Sequence, residues 1–336
     1  MQSLIWTGPR QFDMQTTSIP ELRPGDVLLR VEYVGICGSE LSGYLGTNSL
    51  RKPPLVMGHE FSGVVVSTSG DMGDIKVGDR VSANPIIECG RCDKCRRGLP
   101  QHCPHREFIG ITAPGAYAEY VRVPARACVP VRDAKAGALV EPLACSVRAI
   151  RQSGLVFGDS VVVFGAGMIG LFAIKVAQLA GASHRILVDT NAHRLNLGKG
   201  FGATHVVNAK EDNPVQVIRE ITDGRVNKVI DAVGVPLVRQ QSIELLDNAG
   251  TVVFIGLHHD ETTIPGNHVV RSEIRIVGSF AYDHDDFARA HTLLESNVVS
   301  YDHSWLDIRP LGAAKGAFDE QIDGPALFPK IMLTPQ

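Results

Sequence analysis

Val161-Val162-Val163-Phe164 runs directly into Gly165-Ala166-Gly167-Met168-Ile169-Gly170, and Leu171 to Ala180 continues with Lys175 and Gln178 on one side. Four apolar, mostly β-branched residues read as a buried strand, and the segment after the glycines reads as an amphipathic helix. A strand, a Gly-x-Gly-x-x-Gly turn and a helix in that order meet the context that a dinucleotide-binding fingerprint requires. Gly165 permits the tight turn, Gly167 lets backbone approach a pyrophosphate, and Gly170 lets the helix pack closely on its strand. Met168 and Ile169 open the helix, whose unpaired N–H groups would meet the phosphates.

Ile186-Leu187-Val188-Asp189 is a second strand ending in an acid. It falls about twenty residues past the last glycine, where such folds place the group that binds the adenosine ribose. A carboxylate there accepts hydrogen bonds from ribose hydroxyls and repels a 2′-phosphate, so NAD is expected over NADP. Arg194 either flanks the adenine or is a solvated helix residue. The plainer alternative is a buried βα corner in which Asp189 caps the next helix.

A chain of 336 residues is long enough for about two domains. Its net charge of −3 provides no overall field for nucleic acid or anionic lipid. The N-terminus lacks the basic start and apolar run of a signal peptide, so a cytoplasmic protein is expected. Val161 to Ala182 is apolar enough to catch a hydropathy scan, but its glycine turn, Lys175 and Gln178 argue against a membrane span. Of seven cysteines, four crowd into residues 89–103, which favours thiolates on a metal in a reducing compartment over a disulfide framework.

Residues 1 to about 145 read as short strands broken by Pro and Gly, with candidates at Val27–Val34, Phe61–Val66, Arg80–Ala83 and Ala116–Val123. This pattern suggests a mostly β domain, built as a partly closed barrel. After Glu141-Pro142 the rhythm changes. Ser146–Ser153 reads as a helix, and strand candidates then alternate with helices: Val161–Phe164, Ile186–Asp189, His205–Asn208, Lys228–Val233, Thr251–Gly256 and Arg275–Phe280. These supply the strands of a doubly wound α/β sheet. From about residue 284 the reading is a helix at Phe287–Leu294, irregular chain, and a closing strand at Lys330–Leu333 that returns to the first domain.

Cys89, Cys92, Cys95 and Cys103 form C-x2-C-x2-C-x7-C. Four thiolates so close in sequence close a tetrahedral zinc shell, and a shell with no open position is structural. Arg91, Lys94, Arg96, Arg97 and Arg106 make the loop basic. A nucleic-acid-gripping zinc knuckle is therefore the rival reading. The mildly acidic chain and the lack of interleaved aromatic residues argue against it. A second constellation lies in separated pieces: Cys37 in Gly35-Ile36-Cys37-Gly38-Ser39-Glu40, His59 and Glu60 in Gly58-His59-Glu60-Phe61-Ser62-Gly63, and Glu141 in Glu141-Pro142-Leu143. Taken singly, each has an ordinary structural explanation: a buried thiol, a core histidine, a helix start.

Together the motifs Gly58-His59-Glu60-x-x-Gly63, Gly78-Asp79-Arg80-Val81, the four-cysteine knuckle and the glycine turn occur in the order found in one family. The chain resembles the zinc-dependent medium-chain dehydrogenases, the alcohol dehydrogenase superfamily, over nearly its whole length. Glu141-Pro142-Leu143 and Cys37-Gly38-Ser39 resemble its polyol branch, which includes sorbitol and galactitol-1-phosphate dehydrogenases. The resemblance implies an α/β fold: a GroES-like β-rich catalytic domain with a doubly wound Rossmann domain inserted before the C-terminal segment. Residues 1–145 and 284–336 would form the first, with a structural zinc lobe at about 88–105, and residues 146–283 the second. It also implies one catalytic and one structural zinc per chain, and a homodimer or homotetramer. The catalytic ligands would be Cys37, His59 and a glutamate, either Glu60 or Glu141, in departure from the two-cysteine, one-histidine set of alcohol dehydrogenase itself.

The implied reaction is hydride transfer from a secondary alcohol or polyol to NAD, with zinc polarising the hydroxyl and Ser39 first in the proton relay. Further cofactor contacts would come from Ile255, Gly256 and Leu257 and from Ser279 and Phe280. Two departures bear on substrate. Glu40 stands where the family has Asp, and Ala281 stands where sorbitol dehydrogenases carry Arg, with Tyr282 retained. Loss of that guanidinium argues against sorbitol itself. Tyr44 either lines the pocket or is an exposed loop residue. The alternatives are a sugar-phosphate alcohol dehydrogenase, a threonine-type dehydrogenase and, more remotely, a non-catalytic dinucleotide or nucleic-acid binder.

Overall fold

A computed structural model of the chain describes residues 1–70 and 72–335. The fold comprises two compact units, Met1–Glu141 with Asp283–Gln336, and Pro142–Tyr282.

The first unit is built around the strand Asp26–Gly35. Its apolar residues Val27, Leu29, Val31 and Val34 are fully buried. It pairs antiparallel with Glu60–Thr68 along most of its length, with Tyr120–Pro124 at its start, and with Lys330–Thr334 at its end. Leu306–Pro310 adds in parallel to that last strand, and Arg80–Ala83 and Cys128–Pro130 extend the other side. A smaller sheet of Gln11–Thr16, Gln2–Gly8 and Leu55–Val56 joins through the bridge between Ser3 and Ala118.

The second unit is a six-stranded parallel sheet. Its strands lie in the order His205–Asn208, His184–Asp189, Ser160–Phe164, Lys228–Asp231, Thr251–Phe254 and Arg275–Gly278. This is the doubly wound order with the glycine strand third from one edge. Val161, Val162 and Val163 are fully buried, as strands covered on both faces require.

Several local expectations need correction. The helix expected from Ser146 begins at Ala134 and passes through Pro142 to Ser153. Asp133 starts it by accepting the Ala136 N–H at 2.9 Å. Burial of Ala138, Leu139, Val140 and Leu143 then outweighs the roughly 3 kcal/mol that an interior proline costs. Ala116–Glu119 lies outside the strand that starts at Tyr120. The region expected to be irregular after residue 295 carries the strand Leu306–Pro310 and the helix Ala314–Asp323, whose Ala317 and Phe318 enter the core. Among the described residues no helix is long and apolar enough to cross a membrane.

Candidate functional site

Strand pairing brings the separated motifs together. Gly35 pairs with Glu60 on one side and with Met332 on the other. Cys37, two residues beyond Gly35, therefore lies beside His59 and Glu60, and Lys330 arrives from the opposite direction. The ligand atoms of Cys37, His59 and Glu60 all lie within 4.8 Å of one another. Glu141 is outside that group, but it is buried and near enough for its charge to act on Lys330.

The glycines of the motif are steric requirements. A Cβ on Gly35 would come 2.2 Å from Glu60 Oε2, and one on Gly63 would come 2.3 Å from the Arg30 carbonyl. Gly58 has φ +99, and a Cβ there would strike Tyr117 and Val34 at under 3.0 Å.

Glu40 organises the cluster. Cys37, at the N-cap of the helix Gly38–Tyr44, donates its N–H to Glu40 Oε2 at 3.1 Å. The Tyr117 hydroxyl donates to the same oxygen at 2.6 Å. Glu40 Oε1 accepts the Gly58 N–H at 2.8 Å and lies 3.2 Å from His59 Nδ1. A carboxylate accepts only, so Nδ1 carries the proton and the Nε2 lone pair is left for a metal. Burial works to raise the pKa of Glu40, but His59, Arg51 and Tyr117 together hold it down at about 2. This corrects the expectation that Glu40 bears on substrate: it is fully buried, and both of its oxygens are occupied.

Lys330 is the second support. Its ammonium donates to Glu60 Oε2 at 2.5 Å and to the Ile36 carbonyl at 2.9 Å, at 2 % exposure. Ser39 Oγ donates to Cys37 Sγ at 3.3 Å and accepts from Arg51 Nη2 at 3.1 Å. Tyr44, expected either in the pocket or in an exposed loop, is in neither place. It is fully buried, stacked on Phe12 at 4.9 Å, and its hydroxyl donates to the Arg10 carbonyl and to Asp319. Lys330, Tyr117 and Arg51 escaped the sequence reading. The one available signal was a lysine heading the otherwise apolar run Lys330-Ile331-Met332-Leu333.

The donor set fits zinc: one thiolate, one imidazole with a fixed tautomer, and a carboxylate. Burial opposes charge on His59, yet the Glu40 carboxylate and Cys37 raise its pKa well above the ordinary value.

The second cluster is Cys89, Cys92, Cys95 and Cys103, again with all ligand atoms within 4.8 Å. Sulfur separations of 3.4, 3.8 and 3.9 Å match the edge of about 3.8 Å in a tetrahedron with Zn–S near 2.3 Å. They are far beyond a disulfide bond of about 2.05 Å. Backbone N–H groups of Arg91 and Cys92 bring Cys89 down to about 6. Burial and the neighbouring sulfurs push Cys95 up to about 12. Four thiols at this spacing ionise together only around a cation. Arg91, Arg96 and Arg97 are exposed, and Arg97 pairs with Asp93.

In the second unit the glycine turn lies at the C-terminal end of Ser160–Phe164, beside the end of His184–Asp189. A Cβ on Gly170 would be 1.7 Å from the Gly165 carbonyl oxygen, so the helix Met168–Leu179 packs there only as glycine. Gly167, its N-cap, has nothing within 4 Å of a would-be Cβ, which leaves an open cradle over unpaired N–H groups. Asp189 Oδ2 accepts the Ala166 N–H at 2.5 Å, and Oδ1 accepts the Asn191 N–H at 2.8 Å. Asn191, not Asp189, caps the next helix. Arg194 is half-buried; burial lowers its pKa and Asp189 opposes the shift. Ile255, Gly256 and Leu257 follow the strand Thr251–Phe254, and Ser279 and Phe280 follow Arg275–Gly278. Ser279 Oγ is buried with no hydrogen-bond partner, a polar atom left for a ligand. Ala281 has φ 48 and Tyr282 is fully buried. The open cradle and the orphaned hydroxyl fit a dinucleotide.

A β-rich unit with one structural and one reactive metal site, joined to a dinucleotide-binding sheet, defines a metal-dependent dehydrogenase. Residues 23–133 match the family description "Alcohol dehydrogenase GroES-like domain", and residues 169–296 match "Zinc-binding dehydrogenase". D-arabitol-phosphate dehydrogenase of Enterococcus avium is 34% identical over 324 residues, covering 94% of this chain and 92% of that protein. Sorbitol dehydrogenase of Bacillus subtilis (strain 168) is 29% identical over 347 residues, covering 100% and 97%. A crystal structure from Sinorhizobium meliloti 1021, described as a zinc-binding dehydrogenase bound to NADP, superposes with a TM-score of 0.92 at 31% identity, covering 99% of each chain. The chain belongs to the zinc-containing medium-chain alcohol dehydrogenase superfamily. It is a zinc-dependent dehydrogenase of the alcohol and polyol kind, EC 1.1.1.-, with groups for two zinc ions and a dinucleotide.

Proposed function

We propose that this protein oxidises a polyol, or a secondary alcohol of similar size, to the ketone and passes the hydride to NAD. The observation that carries the reading is the Cys37, His59 and Glu60 donor set, gathered within 4.8 Å and braced by Glu40 and Lys330. When bound, zinc supplies a Lewis acid that lowers the hydroxyl pKa, and the nicotinamide supplies the hydride acceptor. The protein's own residues do the positioning. Glu40 keeps His59 in the metal-binding tautomer, and Lys330 steadies Glu60, the favoured carboxylate ligand. Glu141 serves beside them as the second carboxylate. Ser39 is the first group to receive the alcohol's proton, which leaves as the hydride goes to NAD; ketone, NADH and one proton are the products.

Gly165, Gly167, Met168, Ile169 and Gly170 are assigned to the pyrophosphate, Asp189 to the ribose and Arg194 to the adenine. Ile255, Gly256, Leu257, Ser279 and Phe280 are assigned to the nicotinamide half. Residues 1–145 with 284–336 act as the catalytic domain and residues 146–283 as the cofactor domain, in a cytoplasmic homodimer or homotetramer.

A phosphorylated polyol is the second reading, favoured by the 34% identity to an enzyme named for arabitol phosphate. A panel of C4–C6 polyols, their phosphates and simple secondary alcohols, followed by NADH absorbance, separates the two. Cys37→Ala and His59→Ala should each abolish NADH formation and lower zinc from two per chain to one; activity intact in either variant refutes the mechanism. Equal turnover with NADP would remove the role given to Asp189.

A further inference from the structure

Arg51 is 4 % exposed, and the proposed reaction gives it no task. Its stem passes the helix Gly38–Tyr44 at Gly43, where a Cβ would come 2.7 Å from Arg51 Cδ. The guanidinium then grips one residue twice. Nη1 donates to the Ser39 carbonyl at 2.9 Å, and Nη2 donates to Ser39 Oγ at 3.1 Å. Nε is buried without a partner. A guanidinium has five donors and no acceptor, and it does not lose its charge in proteins. Ser39 can therefore only accept from Arg51. Its single proton must point elsewhere, and the group within reach is Cys37 Sγ at 3.3 Å.

We propose that Arg51 is a positioning residue for the catalytic metal centre: it fixes the Ser39 hydroxyl with its proton on Cys37 sulfur, so Cys37 donates less charge to zinc than a bare thiolate would. The hydrogen-bond chain has one direction, from Arg51 to Ser39 to Cys37. Groups outside the ligand shell orient ligands and tune metal acidity in this way. The second Ser39 lone pair stays open for an alcohol hydroxyl; when the alcohol's proton arrives there, the half-buried Ser39 releases its own proton from Cys37 sulfur to solvent. The inference rests on the assignment of Cys37 as a zinc ligand, and a separate variant tests that assignment.

The test uses full-length protein with cobalt(II) in place of zinc, read by the thiolate-to-cobalt charge-transfer absorption. The four-cysteine site contributes equally to every variant and cancels in difference spectra against native protein. A hydrogen bond stabilises the sulfur lone pair, so losing it moves the band to longer wavelength. Ser39→Ala and Arg51→Met should shift the band alike, and the double variant should shift it no further than Ser39→Ala. Arg51→Gln offers the hydroxyl an acceptor and should also shift the band; it serves if the methionine variant does not fold. Arg51→Lys has donors only and should keep the native band. In the zinc enzyme, kcat should fall about tenfold or more in the shifted variants and recover toward native in Arg51→Lys. A native band in Arg51→Met or Arg51→Gln overturns the proposal, as does a full shift in Arg51→Lys. If Cys37→Ala leaves the whole charge-transfer spectrum unchanged, the ligand assignment itself fails, independently of Arg51.

Discussion

Glu40→Gln removes one charge and keeps the shape, so its effect can be worked from the four donors around the carboxylate. The amide has one accepting and one donating end. If the NH2 faces Gly58 and His59, the Gly58 N–H loses its 2.8 Å partner, and His59 keeps a bond only by moving its proton to Nε2. That tautomer cannot bind metal through Nε2. If the NH2 faces the other way, Tyr117 can turn its hydroxyl and accept, but the Cys37 N–H is orphaned. Either choice leaves one buried donor unpaired, at about 1–3 kcal/mol. The remaining bonds lose their charge assistance, which roughly halves them. The expected loss is about 2–5 kcal/mol, a large fraction of the roughly 5–15 kcal/mol that holds a domain together.

Both tryptophans of the chain, Trp6 and Trp305, are buried in the first unit. Their fluorescence during urea unfolding therefore reports on that unit alone. The Glu40→Gln midpoint should fall clearly, and its affinity for the catalytic zinc should drop by about tenfold or more. Glu40→Asp keeps the carboxylate at a shorter reach and should lose less. A Glu40→Gln midpoint within error of native, or a greater loss in Glu40→Asp, would refute the reasoning.

Lys330→Met strands the Glu60 carboxylate in the interior. Breaking such a pair costs about 3–5 kcal/mol, and added zinc should stabilise this variant more than native protein, as read by melting with and without the metal. Gly167→Ala and Gly170→Ala should separate binding from folding: the first places a methyl in open space and weakens dinucleotide binding by calorimetry with an unchanged melting curve. The second drives a methyl into the Gly165 carbonyl and lowers the melting temperature of the second unit. Tyr44→Phe loses hydrogen bonds worth about 1 kcal/mol in total and should leave kcat/KM unchanged, since its hydroxyl points to Arg10 and Asp319.

The second unit was legible strand by strand because a parallel sheet covered on both faces needs short continuous apolar runs, and Val161–Phe164 or Ile186–Val188 can hardly be anything else. The first unit was harder. Ala134-Lys135-Ala136-Gly137 carries no amphipathic pattern before Pro142, so only the tertiary burial of Leu139 and Leu143 reveals that the helix begins there. Leu306–Pro310 alternates charged and apolar residues, but it joins a sheet through Lys330–Thr334, and nothing local records that pairing. The two candidate metal clusters were legible for a different reason: thiol and imidazole side chains in glycine-flanked turns carry chemistry that composition rarely produces by accident.

Lys330 and Arg51, which help hold those ligands, left almost no trace, and Glu40 stood out only through the family resemblance; the physical reason is common to them. Glu40, Lys330 and Arg51 are charged, and charged residues are expected at the surface. Their burial follows only once strands distant in sequence are paired. Lys330 meets Glu60 because Lys330–Thr334 and Glu60–Thr68 flank the same strand end at Gly35. Tyr117 reaches Glu40 across 77 positions. Each of these charges would be costly alone, and each is tolerated because another points at it. The same reasoning explains why the ligands can be rigid without lying on one element. Their positions are set by hydrogen bonds to charges that have no other place to go.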